Sequence, residues 1–268
     1  MANITAAAVM KLRDATNLPM MKCKEALIAS NGDEAAAVEW LRKQGVSAKF
    51  AGRETPNGGI GMAISNGAGV LVQLGCQTDF VSGNDVFKAL VKQLAEAALA
   101  TGVTTLDAAK AMSVGGKPVA DLLTTAIQQI GENLVLVGFA RVTGAVVAGY
   151  NHGGRVAALV SGSGDAERLR KIAMHVASAA PAPVALNRAG VDPALVKKEE
   201  EVLIATPEVQ AKPEAMRSKI VQGKLGRFFK ENVLLEQEML LDAEKGETVD
   251  AYAKRHGLTV AGFGRLTV

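Results

Sequence analysis

Two stretches of the sequence, roughly 85 residues apart, share one predicted pattern of a β-hairpin, a loop and a helix. In the first copy, Asn66-Gly67 separates two apolar runs, and this dipeptide is typical of a tight hairpin turn. The two strands and the helix of this copy are predicted at 60–64, 70–74 and 85–100. In the second copy the strands are predicted at 145–149 and 155–160, the turn between them at 150–154, and the helix at 166–179. The repetition predicts a duplicated α+β unit.

The rest of the chain extends this core. After the first copy we predict a helix at 119–130 and a strand at 134–139. Near the end of the chain we predict an extended segment at 232–241, a helix at 249–256 and a closing strand at 260–268. Charged helices joined by a Pro-bounded turn indicate a helical-hairpin insertion. We predict an α+β fold. A helical N-terminal module with its linker covers 1–54, and a first core subdomain covers 55–140. A second core subdomain consists of 141–191 and 230–268, and the insertion at 192–229 lies between its two pieces.

The first 45 residues predict three short helices around one small core, an arrangement that resembles a ubiquitin-associated domain, which is usually a docking module. The residues expected to be exposed near the first turn are Leu12, Arg13, Met20 and Met21. Adjacent residues on a helix point about 100° apart, so both methionines cannot face one core. One methionine is therefore expected to face a partner, although both could instead fill irregular gaps.

Residues 78–81 (Thr78, Asp79, Phe80 and Val81) lie where the second strand of the first hairpin gives way to a helix. Side chains at such a junction can be held rigidly and presented outward. Asp79 and Phe80 have no catalytic partner nearby in the sequence, which favours contact with another macromolecule. The alternative is that Asp79 caps the helix and Phe80 fills a core. The second copy makes the same junction with Ser and Gly, so the pair is not required for joining strand to helix.

Composition limits the classes of function. The 268 residues carry a net charge of +3, and no basic stripe interleaved with aromatic residues indicates nucleic-acid binding. No apolar run is long enough to cross a bilayer, and the N-terminus lacks the features of a signal peptide. Cys23 and Cys76 belong to no CxxC motif, which favours a reducing compartment. A cytoplasmic protein that binds neither membrane nor nucleic acid is expected.

The sequence also lacks the usual motifs of enzymes. The glycines at 149–154 have the spacing of a phosphate-binding loop, but Arg155-Val156 replaces the required Lys and Ser/Thr. The three histidines form no zinc motif with each other or with the cysteines. A thiol nucleophile at Cys76 is a weak alternative. We therefore expect a protein that is not an enzyme and that uses no cofactor and no metal.

Several motifs, in order along nearly the whole chain, resemble the bacterial elongation factor Ts family, the nucleotide exchange factors of elongation factor Tu. The motifs are residues 20–27 (MMKCKEAL), 31–33 (NGD), 76–81 (CQTDFV), 130–133 (IGEN) and 175–177 (HVA).

The resemblance implies that Asp79 and Phe80, within the segment Thr78 to Val81, intrude into the GTPase domain of elongation factor Tu. It implies that Met20 and Met21, with Leu12 and Arg13, grip another face of that domain, and that His152 presses near its phosphate-binding loop. The implied result is disturbed Mg²⁺ and phosphate binding, and release of GDP during translation elongation.

Two features depart from the family or vary within it. Glu238-Met239 stands where relatives often carry Pro-Phe, which leaves open whether Leu240 and Leu241 contact the partner. In some members the insertion mediates self-association, so a homodimer through residues 192–229 is an open alternative. A rival interpretation from another class is a binding or chaperone-like module that uses Met20 and Met21 and has no role for Phe80.

Overall fold

The computed structural model describes residues 4–16, 18–43, 53–65 and 67–268. The three predicted N-terminal helices are present as α1 (Ala6–Thr16), α2 (Met20–Ala29) and α3 (Glu34–Lys43). Their apolar faces enclose one small core of Val9, Leu12, Leu18, Cys23, Ala26, Leu27, Ala37 and Leu41. The linker is predicted at 45–61; its first part, 45–52, and the turn residue Asn66 lie outside the described residues, and its last part belongs to the first strand of the hairpin.

The first copy of the repeat forms the predicted hairpin and helix. Its elements are β1 (Asn57–Ser65), β2 (Ala68–Cys76), a short helix α4 (Asp79–Gly83) and α5 (Asp85–Thr101). The strands pair antiparallel, with Asn57 opposite Cys76 and Ser65 opposite Ala68. Asn84 begins α5 by accepting a 2.8 Å hydrogen bond from the Val86 amide. The structure therefore places a separate turn of helix, α4, where the sequence predicts only a junction.

A connecting segment completes the first sheet. It contains α6 (Leu106–Ala111), β3 (Ser113–Val114), β4 (Lys117–Pro118), α7 (Val119–Ile130) and β5 (Val135–Thr143). Strand β5 pairs antiparallel with β2, which gives a sheet in the order β1-β2-β5. Helices α5 and α7 bury their apolar residues against one face of this sheet. The elements α6, β3 and β4 were not predicted because they are too short to show a hydrophobic period.

The second copy and the insertion follow. Their elements are β6 (Val146–His152), β7 (Val156–Ser163), α8 (Ala166–Ser178), α9 (Pro193–Ala205), α10 (Pro207–Gln210), α11 (Glu214–Asn232), α12 (Val249–Arg255) and β8 (Thr259–Thr267). The second sheet has the order β6-β7-β8 and is antiparallel throughout. Helices α9 and α11 pack together and form the predicted helical hairpin. The mixed helix and sheet composition confirms the predicted α+β class, while the domain boundaries stay a prediction.

The two sheets pack face to face through a shared apolar layer. Leu71 and Val142 of the first sheet meet Leu159 of the second in this layer. Gly149 permits the close approach, because a Cβ there would lie 2.6 Å from Met62 Sδ and 2.9 Å from Ile64 Cδ1, both in the first sheet. The central strand of each sheet also has a register shift, at Gln73/Leu74 and at Ser161/Gly162. The shared irregularity supports duplication of one unit.

Two details of the predicted core are wrong. The segment 232–241 is not an extended strand, since the chain makes a 3₁₀ turn at Leu234–Glu236 and only isolated bridges nearby. Val233 and Leu234 are both buried although they are adjacent, so the burial does not alternate through the turn, and the apolar run misled the prediction there. The turn predicted at 150–154 is also shorter, because β6 continues through His152.

A buried histidine joins α8 to the segment after α11. Gln237 Nε2 donates to the carbonyls of Pro181 (3.0 Å) and Glu231 (2.7 Å), which leaves Oε1 to accept. His175 Nε2 therefore donates to Gln237 Oε1 (3.0 Å), and His175 Nδ1 accepts from the Leu240 amide (3.3 Å). This arrangement needs the neutral imidazole. Burial lowers the pKa of His175, against a smaller raising effect of the bond to Gln237.

The free energy of unfolding should consequently depend on this histidine below neutral pH. As pH falls through about 6.5, the unfolded chain binds the proton before the folded chain does, so stability present above that pH is lost below it. Urea unfolding at several pH values should show a smaller acid loss in His175→Gln than in wild type. His256, whose pKa is also lowered, contributes equally to both proteins. An unchanged acid loss in His175→Gln, or an equal change in the exposed-site variant His152→Asn, would contradict this assignment.

Candidate functional site

The junction between β2 and α5 is a short projection held by polar contacts at its base. Thr78 caps α4, since its Oγ1 accepts from the Val81 amide at 3.4 Å. The same hydroxyl donates to Glu132 Oε1 at 2.6 Å. Glu132 Oε2 accepts from the amides of Gln77 and Thr78, both at 3.0 Å. One carboxylate from the segment after α7 therefore holds the start of the projection.

Phe80 is 87% exposed at the tip of this projection, although it is one of only seven phenylalanines in the chain. Asp79 is also exposed, and its carboxylate makes no hydrogen bond or ion pair with any residue the structure describes. The alternative that Asp79 caps the helix and Phe80 fills a core is wrong, because Thr78 is the cap and no residue of α4 is buried. Val81 packs partly against the core of the first sheet.

The second copy makes its strand-to-helix junction without such a projection. There, Asp165 caps α8 directly by accepting a 2.8 Å hydrogen bond from the Arg168 amide. A capped helix can therefore follow the strand with no additional turn, and α4 is an addition to the repeated unit. Presenting an acid and an aromatic ring to solvent is the distinguishing feature of the first copy.

His152 lies on the same edge of the molecule as α4. The hairpin turn that follows it is tied to β1, because Asn151 Nδ2 donates to Ile60 O (2.9 Å) and Ile60 N donates to Gly154 O (2.8 Å). Ser82 and the turn residues line one groove of about 490 Å³. His152 itself is exposed, and its Nδ1 lies 2.8 Å from the Tyr150 hydroxyl. The structure thus places the base of the projection and the turn that follows His152 beside one groove, although His152 itself does not line it.

The N-terminal module presents its two adjacent methionines to solvent. Met20 is 47% exposed and Met21 is 65% exposed, whereas Arg13 is half-buried. Leu12 does not belong to this surface: it is 1% exposed and lies in the core of the bundle, so its predicted exposure is wrong. Its position three residues after Val9 on the buried face of α1 explains the correction.

The structure bears on two kinds of enzyme site, a metal centre and a thiol nucleophile. Within the described residues, no group of three or more His, Cys, Asp or Glu side chains could hold a metal ion. Cys76 is buried, and burial together with the nearby Glu132 carboxylate raises the pKa of its thiol to about 11. A thiol with that pKa stays protonated at neutral pH and is a poor nucleophile.

No helix in the described part of the chain is long and apolar enough to span a membrane.

The thiol alternative gives a direct prediction. Cys76→Ser should keep its activity on a partner protein, because serine can also donate to the Thr78 carbonyl, which Cys76 Sγ contacts at 3.1 Å. The activity to measure is the nucleotide release that the family resemblance implies, with Cys23→Ser as a control at the other buried thiol. Loss of activity in the folded Cys76→Ser protein alone would restore the thiol alternative.

Sequence reasoning missed the residues that hold the projection. Glu132 lies 54 positions from Thr78, and Asn133 adds a 3.0 Å bond from its amide to Gln77 Oε1 and a 2.8 Å bond from Nδ2 to the carbonyl of Arg53. Their only signal was membership of the motif at 130–133, which carried no assigned role.

These features define a class: an α+β protein that exposes an aromatic ring and adjacent methionines to solvent, as proteins that bind other proteins do. Comparison with known proteins gives the family. The family model described as "Elongation factor TS" matches residues 77–268. The chain belongs to the elongation factor Ts family.

Relatives align over nearly the full chain. An elongation factor Ts from Ruegeria sp. (strain TM1040) is 39% identical over 274 residues, covering 99% of this chain and 92% of the relative. One from Nitrobacter hamburgensis is 43% identical over 261 residues, covering 91% and 84%. One from Gluconobacter oxydans is 42% identical over 282 residues, covering 99% and 92%. The family identity supports a role in translation as the nucleotide exchange factor of elongation factor Tu.

Proposed function

We propose that this protein binds elongation factor Tu·GDP and promotes GDP release by inserting Asp79 and Phe80 into the GTPase domain. The observation that carries the proposal is the 87% exposure of Phe80 on a turn of helix whose base is held by Glu132. An aromatic ring presented this way forgoes its own burial, and burying it in a partner would contribute about 1.5–3 kcal/mol. Asp79, exposed beside it, supports the same contact.

The mechanism is an argument about linked equilibria. A factor that binds nucleotide-free Tu more tightly than Tu·GDP must lower the affinity of Tu for GDP by the same ratio. Mg²⁺ and the backbone amides of a phosphate-binding loop hold the diphosphate of a GTPase. Insertion of the projection would disturb these ligands. No covalent bond is made or broken, so the protein is an exchange factor and not an enzyme.

Two other surfaces complete the proposed interface. Met20 and Met21, with the half-buried Arg13, form an adaptable apolar contact for a second face of the GTPase domain. His152, exposed at the end of β6, would lie near the phosphate-binding loop of the partner in this arrangement. Action on a translation factor fits the cytoplasmic location expected from the sequence.

The proposal is tested by release of a fluorescent GDP analogue from elongation factor Tu. Catalytic amounts of the wild-type protein should accelerate release strongly, and the Asp79→Ala/Phe80→Ala double variant should lose most of this acceleration. No acceleration by the wild-type protein, with Tu shown to be active, would refute the exchange function. Acceleration that the double variant retains would refute the proposed site only.

Self-association through the insertion is a separate proposal. Helices α9 and α11 leave Val202, Ile204 and Met216 exposed. Apolar side chains on a helical hairpin suit contact with a second copy of the chain. Sedimentation at several concentrations should show a dimer that Val202→Ser/Met216→Ser weakens, and a monomer at all concentrations would refute it.

A further inference from the structure

Helix α4 cannot fix its own orientation. It has five residues, far fewer than the roughly 12 that an isolated helix needs to be even marginally stable in water. None of its residues is buried, and only Val81 packs partly against the core. The direction in which Phe80 points must therefore be set mostly by contacts outside the helix.

Those contacts converge on the residue that begins the helix. Every polar group of Thr78 is engaged: its amide and hydroxyl donate to Glu132, its hydroxyl also accepts from the Val81 amide, and its carbonyl accepts from Cys76 Sγ. Hydrogen bonds to a carboxylate are roughly twice as strong as those between neutral groups. Glu132 therefore supplies the strongest part of this attachment.

Glu132 is itself fixed to the core. Helix α7 ends at Gly131, whose φ of 81° turns the chain so that Glu132 faces the junction. The next residue, Asn133, is 3% exposed and bonds to Gln77 and to the carbonyl of Arg53. The carboxylate is thus supported on one side by the end of α7 and on the other by the bonds of Asn133.

We propose that Glu132 is a positioning residue of the exchange site, which holds Phe80 in the direction needed for insertion. This inference rests on the proposed function. Without the carboxylate, α4 keeps its sequence but samples many orientations, so binding must first order it. Glu132 is half-buried at the base of the projection, and in this proposal it acts through Thr78 on the direction of Phe80.

The test compares Glu132→Ala with Glu132→Gln. The amide of glutamine can accept both backbone bonds through its oxygen and donate to the Thr78 hydroxyl, so Glu132→Gln should accelerate GDP release within about threefold of wild type. Alanine removes all three bonds, and the acceleration should fall roughly tenfold or more. Hydrogen exchange of the amides at 77–83 should rise in Glu132→Ala but not in Glu132→Gln. Glu96→Ala, which removes an exposed helical carboxylate on α5, is the matched control.

A double-mutant cycle separates positioning from general destabilisation. If Glu132 acts through Phe80, then adding Glu132→Ala to Phe80→Ala should cause little further loss. The inference would be overturned if the losses of exchange activity in the two single variants were additive. It would also be overturned if Glu132→Ala kept wild-type exchange while Phe80→Ala was impaired. Both outcomes would leave the proposed function intact. An unimpaired Phe80→Ala protein would refute the insertion itself. Should Glu132→Ala fail to fold, Thr78→Val replaces it, and wild-type exchange in that variant would overturn the inference.

Discussion

Replacing Phe80 with alanine is expected to reduce the acceleration of GDP release from elongation factor Tu by roughly 10- to 100-fold. Truncation of a single aromatic anchor commonly weakens a protein interface by a factor of this size. Here the anchor is 87% exposed before binding, so nearly its whole surface is available for burial. Release of a fluorescent GDP analogue, followed over a range of factor concentrations, measures the effect.

The same substitution should leave the fold unchanged, because the ring of Phe80 contributes little to any core of the free protein. Thermal unfolding of Phe80→Ala is therefore expected to match that of wild type. Val86→Ala, which shortens another exposed apolar side chain six residues along, should keep full exchange activity. Equal losses in both variants would show that apolar surface in general, and not the projection, drives the contact.

Replacing Phe87 with alanine is expected to have the opposite profile. Phe87 is fully buried between α5 and the first sheet, where a Cβ on Gly59 would lie 2.9 Å from its ring. Truncation of a buried phenylalanine costs about 3–5 kcal/mol, since the close-packed surroundings cannot collapse into the space. Urea unfolding followed by circular dichroism should report this loss of unfolding free energy.

Phe80→Ala is the matched control for Phe87→Ala, because the same substitution is made seven residues away. The structure predicts that one variant loses stability and the other loses activity. At a temperature where Phe87→Ala remains folded, it should still accelerate GDP release. Unfolding free energies that are equal in the two variants would contradict the buried position of Phe87.

Much of the fold could be predicted because its elements carry local signals. Asn66-Gly67 marked the first hairpin, and apolar spacing marked α5 and α7 close to their observed bounds. The segment 232–241 could not be predicted, because its path depends on the Gln237 side chain bonding to the distant Pro181 carbonyl. An apolar run without such information is indistinguishable from a strand.

In the candidate site, too, residues with a local sequence signal could be predicted and residues that depend on distant contacts could not. Phe80 was singled out from its place at a junction and from the absence of a counterpart in the second copy. Leu12 was misplaced, although its spacing from Val9 contained the correct answer. Glu132 belonged to the motif at 130–133, but nothing local indicated its role, since that role exists only when residues 54 positions apart are brought together by the fold.

The order of strands in the second sheet has a consequence for synthesis of the protein on the ribosome. The first sheet has all its strands once residue 143 has been made, whereas β7 must wait for β8 until residues 164–258 have followed. During that interval one edge of β7 is unpaired, and an unpaired edge can recruit foreign strands. Docking of the unfinished hairpin on the completed first sheet, through the Leu71–Leu159 layer, would cover the apolar face of the hairpin but leave this edge open until β8 emerges.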